Sequence, residues 1–267
     1  MYPSGPKKIT LSLLALGFAA ITAVSLSQLS SILHAYRESA QVYVELTRFV
    51  TPQPQPHSPQ AGLPPPPVPA ASPFPQADFA ALSEVNPDIA AWLILEGSRI
   101  NYPVVQGADN SFYLSHLFDG TPNPSGALFI DSYNEPGFAD QNTVIYGHNM
   151  KDDSMFSTLL AYRSQEFFEQ HPQMLLLTPR GNYLVELFAG YQTGIAADSW
   201  RHTFADASDF ESWVSRSKER SDFTSDVEVL PTDRLLTLST CSFAFDNARY
   251  VLVGKLVETA WLAPNGT

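Results

Sequence analysis

A proline-rich segment divides this chain and limits where folded structure can form. Residues 51–75 hold 11 of the 22 prolines, four of them in a row at residues 64–67. Proline has no backbone N–H and a fixed φ, so such a stretch does not join a sheet or a helix interior. We expect a semi-rigid spacer that reaches roughly 75 Å at about 3.1 Å per residue. Folded structure is expected on either side of it.

An uncharged, apolar run precedes the spacer. Residues 9–33 carry no charge, and a helix of that length is about 37 Å long, enough to cross a hydrocarbon core of about 30 Å. A cleaved signal peptide, cut near Ala23 or Ser25, is the alternative. The run is longer than the usual signal-peptide core of about 7 to 15 residues. We therefore predict an uncleaved transmembrane anchor, followed by a juxtamembrane helix at 34–50.

The charges beside the run predict its orientation. Residues 1–8 include Lys7 and Lys8, and positive residues favour the cytoplasmic side. The N-terminus is then cytoplasmic and the rest of the chain is outside the cell. Net charge is -12 with a sequence pI of about 4.8, which argues against a nucleic-acid partner, since phosphate binding requires clustered Lys and Arg. A single cysteine excludes an internal disulfide.

Residues 76–258 have the composition of one globular domain, and 259–267 form a short tail. A succession of short apolar segments between turn residues predicts a mostly β domain, an antiparallel sheet or barrel. At the start of the domain the apolar spacing is compatible with a first helix, through Phe79, Leu82, Ile89 and Trp92. A second helix is predicted at 208–223, capped by Ser208 or Asp209, from its apolar spacing and flanking charges.

The only cysteine ends an apolar strand. In the run Leu235 to Cys241, alternation places Thr237, Ser239 and Cys241 on one face. A lone cysteine is often an inert core residue, but at a strand end beside hydroxyl groups it is also a candidate nucleophile.

Two further residues fit the chemistry of a reactive thiol. His148 follows the apolar strand that ends at Gly147, and Arg249 enters the next strand after Cys241. An imidazole takes the thiol proton and later protonates a leaving amine. A guanidinium offers a fork of donors to an oxyanion. Taken singly, His148 could cap a turn and Arg249 could be an edge cation. No His/Cys spacing or acidic loop fits a metal site, so no metal or cofactor is expected.

Together these motifs resemble the sortase family, cysteine transpeptidases of Gram-positive cell surfaces. The resemblance is carried by Thr237 to Cys241, Tyr146 to Met150, and Arg249 eight residues after the cysteine. Asn86-Pro-Asp88 and residues 101–106 look specifically like class B sortases. The resemblance covers about residues 79–257. It implies an eight-stranded β-barrel with an N-terminal helix and an extra helix between strands six and seven.

By the same resemblance, Cys241, His148 and Arg249 match the catalytic cysteine, histidine and arginine. Ser239 matches a serine that lines class B active sites, and we predict that Thr240 beside it also contacts substrate. The implied partners are secreted proteins with a C-terminal sorting signal containing Pro and Thr. The acyl acceptor is an amine of peptidoglycan or its precursor, or alternatively a pilin lysine in pilus assembly. A membrane-tethered scaffold or adhesin without turnover is the non-enzymatic alternative.

Overall fold

A long N-terminal helix joins the apolar run to the folded domain. The computed structural model describes residues 6–51, 74–242 and 244–259, with side chains from residue 14 onward. Helix α1, Pro6–Leu46, is continuous and ends in a 3-10 turn at Thr47–Phe49. The predicted span at 9–33 and most of the predicted juxtamembrane helix at 34–50 therefore belong to one helix. The stretch Leu14–Phe49, which includes the 3-10 turn, is long enough to cross a membrane and contains a sufficiently apolar window.

The C-terminal part of α1 packs on the domain. Ser39, Tyr43 and Leu46 are buried there, and the Tyr43 ring meets the Tyr102 ring edge-on, with 5.1 Å between centroids. The Asn123 side-chain amide donates to the Ala35 carbonyl over 2.9 Å. These contacts fix the end of α1 against the domain.

Two short strands hold the ends of the proline-rich segment together. Strands β1, Val50–Thr51, and β2, Gln76–Ala77, pair antiparallel, with Val50 opposite Ala77. Most of the predicted spacer, residues 52–73, lies outside the described residues. Because the residues that flank it pair with each other, its length does not set the distance between α1 and the domain.

The domain is a closed eight-stranded barrel, which confirms the predicted fold. The barrel strands are β3 Ile89–Ile94, β4 Asn101–Val105, β5 Leu128–Ile130, β6 Asn142–Tyr146, β7 Gln173–Thr178, β8 Gly181–Gly194, β9 Leu235–Cys241 and β10 Ala248–Glu258. Around the barrel they lie in the order β10-β8-β7-β3-β4-β5-β6-β9. The β4–β5 and β6–β9 pairs are parallel and the other pairs are antiparallel.

The first barrel strand differs from the sequence expectation. Helix α2, Phe79–Val85, includes Phe79 and Leu82 as expected, but Ile89 and Trp92 lie in β3. This strand pairs with β4 on one side and β7 on the other. Pairing on both edges favours the extended backbone, whatever the apolar spacing of the segment suggests.

Two more helices lie on the barrel surface: α3, Gln165–Gln170, and α4, Ala207–Arg220. Helix α4 connects β8 to β9, the sixth and seventh barrel strands, as predicted. Buried Phe210 and Trp213 of α4 share a hydrophobic cluster with Phe188 of β8. The N-cap is Asp206, whose side chain accepts from the Asp209 N–H, and not Ser208 or Asp209 as predicted. Asp209 instead forms an ion pair with Arg201.

Candidate active site

Strand pairing brings the three predicted catalytic residues to one end of the barrel. Strands β6 and β9 run parallel, with Tyr146 opposite Ser239. Cys241, the last residue of β9, and His148, two residues beyond β6, therefore lie at the same end of adjacent strands. Strand β10 returns antiparallel and places Arg249 opposite Cys241. Residues far apart in the chain thus become neighbours through sheet register.

These residues share one surface cleft of about 270 Å³. Cys241, His148 and Arg249 are half-buried there, so solvent and substrate reach the reactive groups. The residues that line the cleft are Asn110, Leu114, Phe129, Tyr146, Gly147, His148, Ser239, Thr240, Cys241 and Arg249. The cleft contains all five of the predicted site residues.

The His148 ring is held by a backbone carbonyl. Its Nε2 lies 2.8 Å from the Leu114 oxygen, and because a carbonyl only accepts, Nε2 carries the proton of this hydrogen bond. In the neutral ring Nδ1 is then the free acceptor. The His148 carbonyl accepts from the Phe156 N–H over 2.9 Å. Both the ring and the backbone of this residue are therefore fixed.

Arg249 keeps most of its donors free. Its Nη1 donates to the Ala248 carbonyl over 3.1 Å, and within the described part of the chain no carboxylate forms an ion pair with it. A guanidinium has five N–H donors in a planar fork. The remaining donors are available to an oxygen that binds beside Cys241.

Ser239 and Thr240 line the cleft, but their hydroxyl groups already have partners. Each residue is only 2% exposed. The Ser239 Oγ accepts from Trp200 Nε1 over 3.1 Å, and the Thr240 Oγ1 donates to the Gly147 carbonyl over 2.8 Å. These bonds join the end of β9 to its neighbouring segments. Substrate contact by Ser239 and Thr240 stays a prediction.

One wall of the cleft, formed by Tyr146 and Asn110, was not predicted from the sequence. The Tyr146 hydroxyl donates to Asp131 over 2.8 Å, and the Asn110 amide donates to the other Asp131 oxygen over 2.9 Å. Burial acts to raise the pKa of Asp131, but hydrogen bonds from Asn110, the Tyr133 N–H and Tyr146 outweigh it and lower the pKa. Burial and the Asp131 charge raise the pKa of Tyr146. A charged Asp131 therefore holds a protonated Tyr146 in place.

Asp131 comes directly after the short segment Leu128–Ile130, and its position at a strand end was the only available signal. Among the described residues, no three His, Cys, Asp or Glu side chains are grouped as metal ligands. The cleft is lined by the thiol of Cys241, the imidazole of His148 and the guanidinium of Arg249.

Comparisons with known proteins agree on one family. The sortase domain model matches residues 93–257. Sortase B of Listeria monocytogenes is 39% identical over 178 residues, which cover 66% of this chain and 72% of that protein.

Solved structures give the same result. The Staphylococcus aureus sortase B–substrate complex is similar with a TM-score of 0.65 at 34% identity, covering 68% of this chain and 85% of that one. A sortase B complexed with triglycine has a TM-score of 0.64 at 34% identity, covering 68% and 86%. Together with the barrel and its cleft, these matches show that the chain belongs to the sortase family of cysteine transpeptidases, and within it to class B.

Proposed function

We propose that this protein is a membrane-anchored transpeptidase that cleaves a C-terminal sorting signal after threonine and transfers the protein to an amine of peptidoglycan or its precursor. The observation that supports this best is the register of β6, β9 and β10, which gathers Cys241, His148 and Arg249 at one cleft. Relatives described as complexes with a substrate and with triglycine support a peptide donor and an amine acceptor.

The first half of the reaction forms a thioacyl-enzyme. The Cys241 sulfur, as thiolate, attacks the threonine carbonyl carbon, and Arg249 donates to the resulting oxyanion. As the intermediate collapses, the C–N bond breaks and His148 gives its proton to the departing amine. The N-terminal part of the substrate stays on Cys241 as a thioester.

The second half of the reaction releases the product. The acceptor amine attacks the thioester carbonyl while His148 takes one of its protons. The new amide bond forms as the C–S bond breaks, and the Cys241 thiolate is regenerated. Hydrolysis is the same step with water in place of the amine. No cofactor is needed, because bonds are exchanged without any change in oxidation state.

The proposed location follows from α1. Its apolar segment spans the membrane, with Lys7 and Lys8 on the cytoplasmic side and the barrel outside. A barrel outside the cell meets both secreted substrates and cell-wall amines at the external face of the membrane.

Intact-mass spectrometry tests the reaction directly. The full chain in detergent is incubated with peptides of the form Asn/Ser-Pro-X-Thr-X, with and without triglycine as acceptor, beside the Cys241→Ala variant. We expect a mass gain equal to the N-terminal peptide fragment, absent in the variant and discharged by triglycine. If no peptide gives an adduct while Cys241 resists alkylation in the folded protein, the proposal is wrong.

A further inference from the structure

We propose that Tyr43 of the anchor helix is a positioning residue for His148, acting through a chain of hydrogen bonds across the loop between β4 and β5. The inference rests on the proposed function, because it gives His148 its catalytic role. It assigns to α1 a part in catalysis in addition to anchoring.

The first link joins the helix to the loop. The Tyr43 hydroxyl is buried and donates to the Gly126 carbonyl over 2.7 Å. The N–H of the same peptide unit, on Ala127, donates to the Tyr113 carbonyl over 2.9 Å. One peptide plane therefore accepts from the helix and donates to the segment that precedes Leu114.

The second link joins the loop to the imidazole. Leu114, next to Tyr113, supplies the carbonyl that accepts from His148 Nε2. Packing here is tight, since a Cβ on Gly126 would lie 3.1 Å from the Leu114 oxygen and 3.2 Å from His148 Cδ2. A shift of the Gly126 peptide would therefore displace the carbonyl that orients the ring.

A second route reaches the backbone of His148. The Tyr43 ring packs edge-on against the Tyr102 ring, and the Tyr102 hydroxyl accepts from the Met155 N–H over 3.3 Å. The next residue, Phe156, donates to the His148 carbonyl. The Tyr43 hydroxyl thus holds the loop whose carbonyl orients the His148 ring. The Tyr43 ring packs on Tyr102, which holds the loop that follows His148.

The hydroxyl route makes a specific prediction about the orientation of the His148 ring. An imidazole takes the proton of a thiol only when its ring is held in the right geometry. Losing the link from Tyr43 should therefore slow the reaction of Cys241, without changing the residues that line the cleft, because Tyr43 is not one of them.

Tyr43→Phe in the full chain, in detergent micelles, tests this prediction, since it removes the hydroxyl and keeps the ring. Tyr36→Phe is the matched control on the same helix. Within the described residues, the Tyr36 hydroxyl makes no hydrogen bond. The readouts are the pH profile of Cys241 alkylation by iodoacetamide and the ¹⁵N resonance of His148 Nε2, assigned with a His148→Gln variant.

In Tyr43→Phe we expect alkylation at pH 7 to slow by about three- to tenfold, the factor that corresponds to one ordinary hydrogen bond. Both the pH profile of alkylation and the Nε2 resonance should differ from those of the wild type. With a processed peptide, kcat should fall while KM stays unchanged. Tyr36→Phe should match the wild type in every readout.

Asn123→Asp is a second, independent variant. It keeps the acceptor for the Ser125 N–H, removes the amide that donates to Ala35 and Glu38, and places a second carboxylate against Glu38, which also acts to loosen α1 from the loop. It should shift the alkylation profile in the same direction as Tyr43→Phe. Thermal unfolding of each variant distinguishes a local effect from loss of the fold.

The inference is overturned if folded Tyr43→Phe and Asn123→Asp keep the wild-type profile and resonance, or if Tyr36→Phe changes them equally. Alkylation needs no peptide substrate, so its outcome is independent of the mass test. A shifted profile in an enzyme that none of these peptides acylates would support the hydrogen-bond chain, because alkylation reports on the thiol and not on the peptide reaction.

Discussion

Replacing Gly147 with alanine should strain the segment that carries His148. A Cβ built on Gly147 would lie 2.4 Å from Leu128 Cδ2, and 2.6 and 2.8 Å from two ring atoms of Phe156. Leu128 and Phe156 are fully buried. Both side chains belong to the main hydrophobic cluster, so moving either one to make room for the Cβ displaces other buried side chains.

The backbone of Gly147 is equally constrained. Its N–H donates to the Ser239 carbonyl over 3.2 Å, and its own carbonyl accepts from Thr240. Overpacking in such a setting costs about 1–3 kcal/mol, partly offset by about 0.4–1 kcal/mol because alanine restricts the unfolded chain. We expect a net loss of roughly 1–2 kcal/mol. In a domain of this size that lowers Tm by about 2–8 °C.

The assay is thermal unfolding of the full chain, with Gly194→Ala as the control. Among the described residues, a Cβ on Gly194 would meet only Phe245 Cε2, at 3.8 Å, an ordinary contact. Neither glycine has a positive φ. Gly194→Ala should be neutral or slightly stabilising. Gly147→Ala should also slow alkylation of Cys241, since His148 follows directly. Equal stability of the two variants would refute the reasoning about space around Gly147.

Two further predictions concern charged groups. Arg249→Lys keeps the charge but loses the planar fork, so thioacyl formation should slow by about 10²-fold, as for other lost oxyanion donors; nearly full activity in single-turnover assays would mean that a point charge is sufficient. The Arg201 side chain and the Ala205 N–H lower the pKa of Asp209 to about 2. This folded-state pKa is below the unfolded value of about 3.9, so the stabilisation is present above about pH 4 and is lost as pH falls towards 2. The difference in Tm between wild type and Asp209→Asn should therefore narrow between about pH 5 and 2, and a constant difference would contradict the assignment.

Much of the barrel was predictable because most of its strands are short apolar runs with turn residues between them. Strand β3 was not, because Ile89 and Trp92 also fit helical spacing and only pairing with β4 and β7 decides between the two. The N-cap of α4 was misplaced because Asp209 pairs with Arg201, a contact that the local sequence does not encode.

That Cys241, His148 and Arg249 lie together was predictable from their positions. Cys241 ends an apolar strand, His148 follows another, and Arg249 lies at the start of a third. The network of Asp131, Tyr146 and Asn110 was not predictable, because it depends on a loop folding back over the barrel. The carbonyl of Leu114 leaves no trace in the sequence, since any residue can supply a backbone oxygen.

The continuous α1 makes the catalytic domain a fixed extension of the apolar segment. Each residue inserted into α1 between residues 33 and 35 would move the cleft about 1.5 Å along the helix axis, away from the apolar segment. It would also rotate the cleft by about 100° about that axis, relative to the apolar segment. Residues added between Thr51 and Gln76 would do neither, because β1 and β2 hold those ends together. The length of α1 thus sets the distance between the apolar segment and the cleft, and the length of the proline-rich segment does not.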